Sequence, residues 1–376
     1  MNYGAEYPTM AASRCQQLNR RPAMNPPIAR TEDHRSRFRE RIVPPLWLLA
    51  LLLIPGLGAS RVWAEEGSSP IGLLVMAHGG STAWNRAVED AVAPLRLERP
   101  VAIAFGMADR GTLQQAVRSL EEQGVSRIAV VRLFISGHSF RHQTEYLLGL
   151  RPDPPARFVE HHGHGQHIQP SHGAGSTGPE HAAVGNAPDL ARQPIERRAQ
   201  ISLSVSGLDE DSTMTVILGE RAAAMSRKPE QESVLLLAHG VEDDQENRDG
   251  LSRLQAIAEN ISRERGFASV RVETLREDWR DKRAHAEQRI HEYVSSEAER
   301  GRRVLVVPVR VFGFGPYREV LTGLRYTADE NGLLPHPAMT RWIERQYTQV
   351  CKAGGWEHSI PRQGGVTPVP TQGSSN

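Results

Sequence analysis

Cysteine is nearly absent: the 376 residues hold two, Cys15 and Cys351. Tetracysteine zinc and iron–sulfur sites are thereby excluded, and any bound metal must rest on histidine, carboxylate or water. Cys15 precedes a short apolar run with an export pattern, so a processed chain keeps one thiol and forms no internal disulfide. Excess charge of one sign is lacking as well. The 45 Lys and Arg against 44 Asp and Glu leave a net +1, which gives no reason to expect a nucleic-acid partner. Gly-rich phosphate loops are missing, which removes the usual cradle for a phosphorylated ligand. After residue 64 no apolar stretch approaches the roughly 20 residues that a bilayer span needs.

The apolar run itself has the grammar of a secretory signal. Arg35, Arg37, Arg39 and Arg41 form a basic flank, Leu46 to Ile54 a short apolar core, and Val62-Trp63-Ala64 a small-residue cleavage site before Glu65 and Glu66. The basic leader is long, and Met24 is an alternative start. Residues 1–64 therefore read as signal peptide and leader, and the mature chain as soluble, exported and periplasmic. An uncleaved signal would leave it tethered to the membrane.

Comparing the chain with itself reveals a duplication. Gly72-Leu-Leu-Val-Met-Ala-His78-Gly79 recurs as Val234-Leu-Leu-Leu-Ala-His239-Gly240, and each is followed by an Asn (Asn85, Asn247) in an amphipathic stretch. A second pair follows in the same order. Gly124 leads through a β-branched run to Phe134-Ile-Ser-Gly-His138, and Gly301 leads through a similar run to Val311-Phe-Gly-Phe314.

Continuous apolar strands alternating with helices signify parallel sheets covered on both faces, an α/β architecture. Strands are expected at 71–77, 101–106 and 127–135 in the first half, with a fourth at 201–208. Those of the second half are expected near 233–238, 268–275 and 303–311. Helices are expected at 84–94, 112–123, 139–149 and 211–226, the last closing the first lobe. In the second lobe they fall near 245–264, 281–299, 316–325 and 337–350, again with the last closing its lobe. The domains read as a first lobe over 65–230, a second over 231–352 and a disordered tail over 353–376. Residues of about 157–194 are rich in Gly, Pro and His without hydrophobic period, and read as a mobile insertion in the first lobe.

Each Ala-His-Gly falls where a parallel strand stops and its helix has not begun, the edge at which open α/β sheets bind ligands. If the strand order is 2-1-3-4, the first and third strands are neighbours about 4.8 Å apart, and His78 and His138 approach closely enough to share a metal. Imidazole suits Co, Ni, Zn and Fe, and an open site suits an ion that must be handed on. His142 lies one helical turn beyond His138, and Glu145 follows; either is a candidate third ligand or proton acceptor, or else a helix-surface side chain. The second lobe is asymmetric, because His239 matches His78 but Phe314 stands opposite His138. His239 is an accessory metal ligand or base, or a relic. A further metal signal is the run His161, His162, His164 and His167, with His172 and His181 beyond, able to chelate divalent ions without fixed geometry.

These two motifs and their doubling resemble class II tetrapyrrole chelatases, and more narrowly the sirohydrochlorin cobaltochelatases of CbiX type, over roughly residues 71–350 apart from the insertion. The resemblance implies two flavodoxin-like lobes around a central cleft, a tetrapyrrole in that cleft, and metal on His78 and His138. It implies a lyase that takes a divalent metal as substrate, Co²⁺ first and Ni²⁺ or Fe²⁺ next, with no organic cofactor. A non-catalytic periplasmic carrier of metal or tetrapyrrole is the alternative. The carboxylates of such a macrocycle would look for cations, and Arg86, Arg110, Arg141, Arg310 and Arg318 lie near the strand ends. One departure stands out: Arg132 occupies a position where the family usually has Pro, and the second lobe keeps Pro308 there.

Overall fold

The computed structural model describes residues 69–159 and 190–356. The proposed signal segment, the histidines of the insertion from His161 to His181, and the tail beyond residue 356 lie outside the described residues.

The first sheet begins with β1 (Ile71–Ala77), buried along its whole length. Helix α1 (Thr82–Val92) follows, its start capped by the Ser81 hydroxyl accepting from the Trp84 N–H. Then come β2 (Val101–Phe105), α2 (Arg110–Glu122, capped by Asp109) and β3 (Arg127–Leu133). A short α3 (Arg141–Leu147) and β4 (Gln200–Leu203) complete the lobe. All pairings are parallel and the order is β2-β1-β3-β4, with Ala77 opposite Leu133 at the carboxyl edge.

After α4 (Ser212–Met225) the plan repeats with β5 (Glu232–Ala238), α5 (Asp244–Arg265), β6 (Ser269–Thr274), α6 (Arg280–Glu299) and β7 (Arg303–Val309). A four-residue α7 (Tyr317–Val320), a two-residue β8 (Thr327–Ala328) and α8 (Pro337–Ala353) end it. The order β6-β5-β7-β8 reproduces the first sheet, and the register makes Arg132 and Pro308 equivalent, opposite Met76 and Leu237. The expected α/β class and doubled parallel sheets are thus present.

The two closing helices are exchanged. Helix α4, expected to close the first lobe, packs on β7 and α5, and α8, expected to close the second, packs on β3, β4 and α1. On α8, the Thr340 hydroxyl donates to the Ala91 carbonyl at 2.7 Å and the Tyr347 hydroxyl to that of Ile71 at 3.3 Å. Glu344 takes the Arg99 guanidinium at 2.8 Å, and the Val350 carbonyl accepts from Ser202 at 3.0 Å. One continuous apolar cluster results, running from Leu73 and Val131 of the first sheet through Trp342 to Leu236 and Val307 of the second. Separate clusters cover the outer face of each sheet. Cys351 is buried on α8, where burial pushes its thiol up to about 11. Among the described residues no helix is long and apolar enough to cross a membrane.

Trp342 is fully buried between the lobes, and its indole N–H has no hydrogen-bond partner among the described residues. Trp342→Ala should cost about 3–5 kcal/mol and lower both lobes in a single urea transition, whereas Trp342→Phe, which removes the orphaned donor, should cost clearly less. Two separate transitions in the Ala variant would contradict the shared core. At the start of α4, burial pushes the Asp211 carboxyl up, but its bonds from Thr213 and Arg345 outweigh burial and leave it below the usual range. A depressed carboxyl contributes stability above its unfolded value and loses it as pH falls. Asp211→Ala should therefore cost about 1 kcal/mol near neutral pH, and the gap to the parent should close below about pH 4 in the same urea assay.

Candidate functional site

Both histidines of the repeated motif are built the same way. His78 follows the last residue of β1 and His239 the last of β5, and each is half-buried. In each, Nδ1 lies 2.7 Å from the carbonyl oxygen of the next glycine, Gly79 or Gly240. A carbonyl only accepts, so Nδ1 is the donor in both rings, and at His78 the neutral ring then carries its lone pair on Nε2. The tight turn demands a left-handed residue, and Gly79 and Gly240 have φ of 80° and 82°. Asn85 and Asn247 then pin the two turns, their Oδ1 atoms accepting from Gly80 N at 2.9 Å and Val241 N at 3.2 Å. Asn247, itself buried, also donates to the Thr274 hydroxyl at 3.1 Å.

On the neighbouring strand β3, the chain leaves Leu133 and turns through residues 137–140 before α3 begins. His138 is exposed on that turn, its N–H donating to the Ser136 hydroxyl at 3.2 Å. His142 is exposed on α3, and Glu145 accepts from Arg141 at 2.8 Å. The strand order thus puts the His78 and His138 loops at one edge of adjacent strands. Among the described residues no group of three or more His, Cys, Asp or Glu is arranged to hold a metal ion. The arrangement offers a two-histidine edge rather than a closed cage.

The second lobe builds a different surrounding. His239 Nε2 lies 3.1 Å from Asp278 Oδ2 and 3.9 Å from Glu277 Oε1, and its ring stands edge-on to Trp279 at 5.9 Å. These three residues follow β6, so the partner of His239 comes from the strand on its other side. Phe314, at the position matching His138, is buried and packs edge-on against Tyr317 at 5.7 Å. In the first lobe Trp84 stands 6.3 Å from the His78 ring, so each histidine has an indole beside it. Sequence reasoning missed Trp84, Glu277, Asp278 and Trp279. Their signal was position, one just after a strand-end His-Gly and three at the end of β6.

The proposed cations are mostly engaged. Arg310 pairs with Glu277 and lies over the Tyr317 ring; burial alone would lower it, but Tyr317 and Glu277 raise it above its usual value. Arg318 pairs with Glu330, Arg141 with Glu145, and Arg110 donates to the carbonyls of Gln193 at 3.0 Å and Pro194 at 3.4 Å. Arg86 is exposed on α1. A substrate carboxylate reaching any of the paired three would share its guanidinium with a protein carboxylate.

Where they are described, the flanks of the insertion expected over about 157–194 make side-chain contacts with the first lobe and with each other. The Val159 N–H donates to Gln143 at 2.8 Å, and Arg192 lies over the Phe158 ring at 5.7 Å, so its two ends meet beside α3. Arg157 also reaches Glu242, three residues after His239, at 2.8 Å, linking the histidine edges of the two lobes. Cavities of about 340 and 350 Å³ lie at the opposite edge, beside Arg303 and Arg198, and touch none of these residues.

The CbiX family model matches residues 72–143, a segment that includes β1 from Gly72 on, both first-lobe histidine loops and α3 as far as Gln143. No curated protein matches the chain. Among solved structures, SirB from Bacillus subtilis with Fe³⁺ overlaps 76% of this chain and 98% of its own, at 12% identity and a TM-score of 0.48. The sirohydrochlorin chelatase SirB from Bacillus subtilis subspecies spizizenii, in complex with cobalt, overlaps 76% and 97% at 12% identity and 0.49. DR2241 from Deinococcus radiodurans, a multi-domain protein with structural similarity to chelatases, overlaps 75% of this chain but 55% of its own, at 16% identity and 0.42. These overlaps are too loose to carry an argument of their own. The chain is thus similar to the CbiX family over residues 72–143 of its first lobe, the part that contains the first-lobe strand-end motifs.

Proposed function

We propose that this protein is a metal chelatase that inserts a divalent ion, Co²⁺ before Ni²⁺ or Fe²⁺, into sirohydrochlorin or a related tetrapyrrole after export to the periplasm. The observation that carries this reading is the placement of the His78 and His138 loops at one edge of the adjacent strands β1 and β3, inside the CbiX segment. Metallation strips water from the ion and two protons from the pyrrole nitrogens. A ring whose Nδ1 proton is engaged by Gly79 presents Nε2 as donor, which suits a ligand that binds metal and then lets it go. In this reading His142 or Glu145 takes a proton, and His239 serves as an accessory ligand or base on the facing lobe. The histidines His161, His162, His164 and His167 would collect metal from a segment whose ends are anchored at the same edge.

A carrier without turnover is the second reading. It is favoured by Phe314, buried where a second-lobe ligand would stand, and by His239, whose Nε2 already faces Asp278 at 3.1 Å. Insertion of Co²⁺ and Ni²⁺ into sirohydrochlorin, followed optically with the purified chain, separates the two. The enzyme reading expects a catalysed rate that falls at least about 100-fold in His78→Ala and in His138→Ala, the usual scale for losing a group that acts in the transition state. Stoichiometric binding with no acceleration over the protein-free reaction would leave the carrier.

A further inference from the structure

The β3 strand contains a buried guanidinium that the reading above does not use. Arg132 is 1% exposed, among the largest fully buried side chains of the protein. Among the described residues no carboxylate is bonded to it. Its bonds run to backbone carbonyls: Nε to Ser204 at 2.9 Å, Nη1 to Ser139 at 2.8 Å, and Nη2 to Gly137 at 2.6 Å and Val205 at 3.2 Å. Its own backbone N–H donates to the Ser204 hydroxyl at 2.9 Å. Burial first, and then the nearby charge of Arg141, lower it to about 10, so it remains a cation at neutral pH.

Two of those carbonyls, Gly137 and Ser139, belong to the residues on either side of His138. The other two belong to the segment after β4, against which the His138 loop packs backbone to backbone. A Cβ on Gly137 would stand 2.6 Å from the Val205 oxygen, and one on Gly207 would stand 2.3 Å from the Gly137 nitrogen. Neither position has room for a side chain, and the planar fork of Arg132 ties the two segments from beneath. In the second lobe the equivalent position is Pro308, which has no donor, and the equivalent turn ends in buried Phe314. The guanidinium is thus present in the lobe whose loop carries a histidine at this point and absent from the lobe whose loop does not.

We propose that Arg132 is a positioning residue that holds the His138 loop in its metal-binding conformation through charge-assisted bonds to the carbonyls flanking His138. This rests on His138 being a metal ligand, as proposed above. Two measurements on the full chain keep the two ideas apart. The first is hydrogen exchange at residues 136–140, which does not involve metal; Arg132→Met should speed it about tenfold or more while β1 stays protected. The second is Co²⁺ affinity in a double-mutant cycle of Arg132→Met with His138→Ala. Arg132→Met alone should weaken Co²⁺ about tenfold, and should add nothing once His138 is Ala. Arg132→Lys keeps the charge but not the fork; it should recover part of both effects, and it serves as the test if the Met variant does not fold. Unchanged loop exchange, or a Co²⁺ loss that persists in full in the His138→Ala background, would overturn the proposal. If His138→Ala alone leaves Co²⁺ affinity unaltered, the ligand assignment of His138 fails, and with it the metal-binding part of this inference, while the exchange data still decide whether Arg132 anchors the loop.

Discussion

A parallel sheet whose strands are apolar on both faces must be covered on both faces, and each four-stranded sheet here has one face that its own lobe does not finish covering. The exchange of α4 and α8 meets that requirement. Each helix leaves the sheet that precedes it and covers the inner face of the other, so the apolar cluster around Trp342 is common to both lobes. Neither lobe could separate without exposing Ile217 and Leu218 of α4 or Ile343 and Val350 of α8, all of them buried. The relative placing of the two carboxyl edges, and so of the loops that carry His78 and His239, follows from this shared core.

Upon that frame, the loops obey local rules. A fully buried strand ends, a glycine in the left-handed region turns the chain, and an asparagine from the next helix captures the turn. The same three devices in both lobes give the same imidazole orientation, with Nδ1 engaged by a carbonyl. What differs is what stands opposite Nε2. In the second lobe Asp278 and Glu277 come from the end of β6, and Glu277 is in turn held by Arg310. A metal arriving at His239 would meet a ring already paired with a carboxylate, whereas in the first lobe a second histidine, His138, lies on the loop that follows the adjoining strand. The two sheets share one scaffold and strand order, and it is the residues at their carboxyl edges that differ.

Much of this was legible in the residues. Strands β1, β3, β5 and β7 are continuous apolar runs, and their ends fell within two residues of expectation because Ala-His-Gly and a basic lead-in residue mark them. The strand order followed from the general behaviour of doubly wound sheets. The helix exchange was not legible, since an amphipathic pattern says that α8 has an apolar face and not which sheet receives it. Strand β8 was missed because two residues have no period, and α7 stops at Val320 rather than near 325 because the chain turns there through Gly323, which has a left-handed φ of 81°. The pairing of Arg141, Arg310 and Arg318 was equally out of reach, because charge alone does not reveal which arginine has a carboxylate within reach in space.

Arg132 shows where sequence and structure inform one another. In the sequence it was an anomaly, a charged residue within an apolar strand at a point where its counterpart is Pro308. Burying a cation is costly unless its donors are answered, and here backbone carbonyls take four of its five N–H groups, with no carboxylate bond among the described residues. That cost is tolerated only where the chain needs many carbonyls gathered in one place, and the place is the loop on either side of His138. A proline stiffens a strand end but holds nothing beyond itself, whereas a guanidinium reaches past the strand and fixes the loop that follows. The departure from the expected residue thus lies beneath the loop at which the first lobe's edge carries His138 and the second's carries buried Phe314.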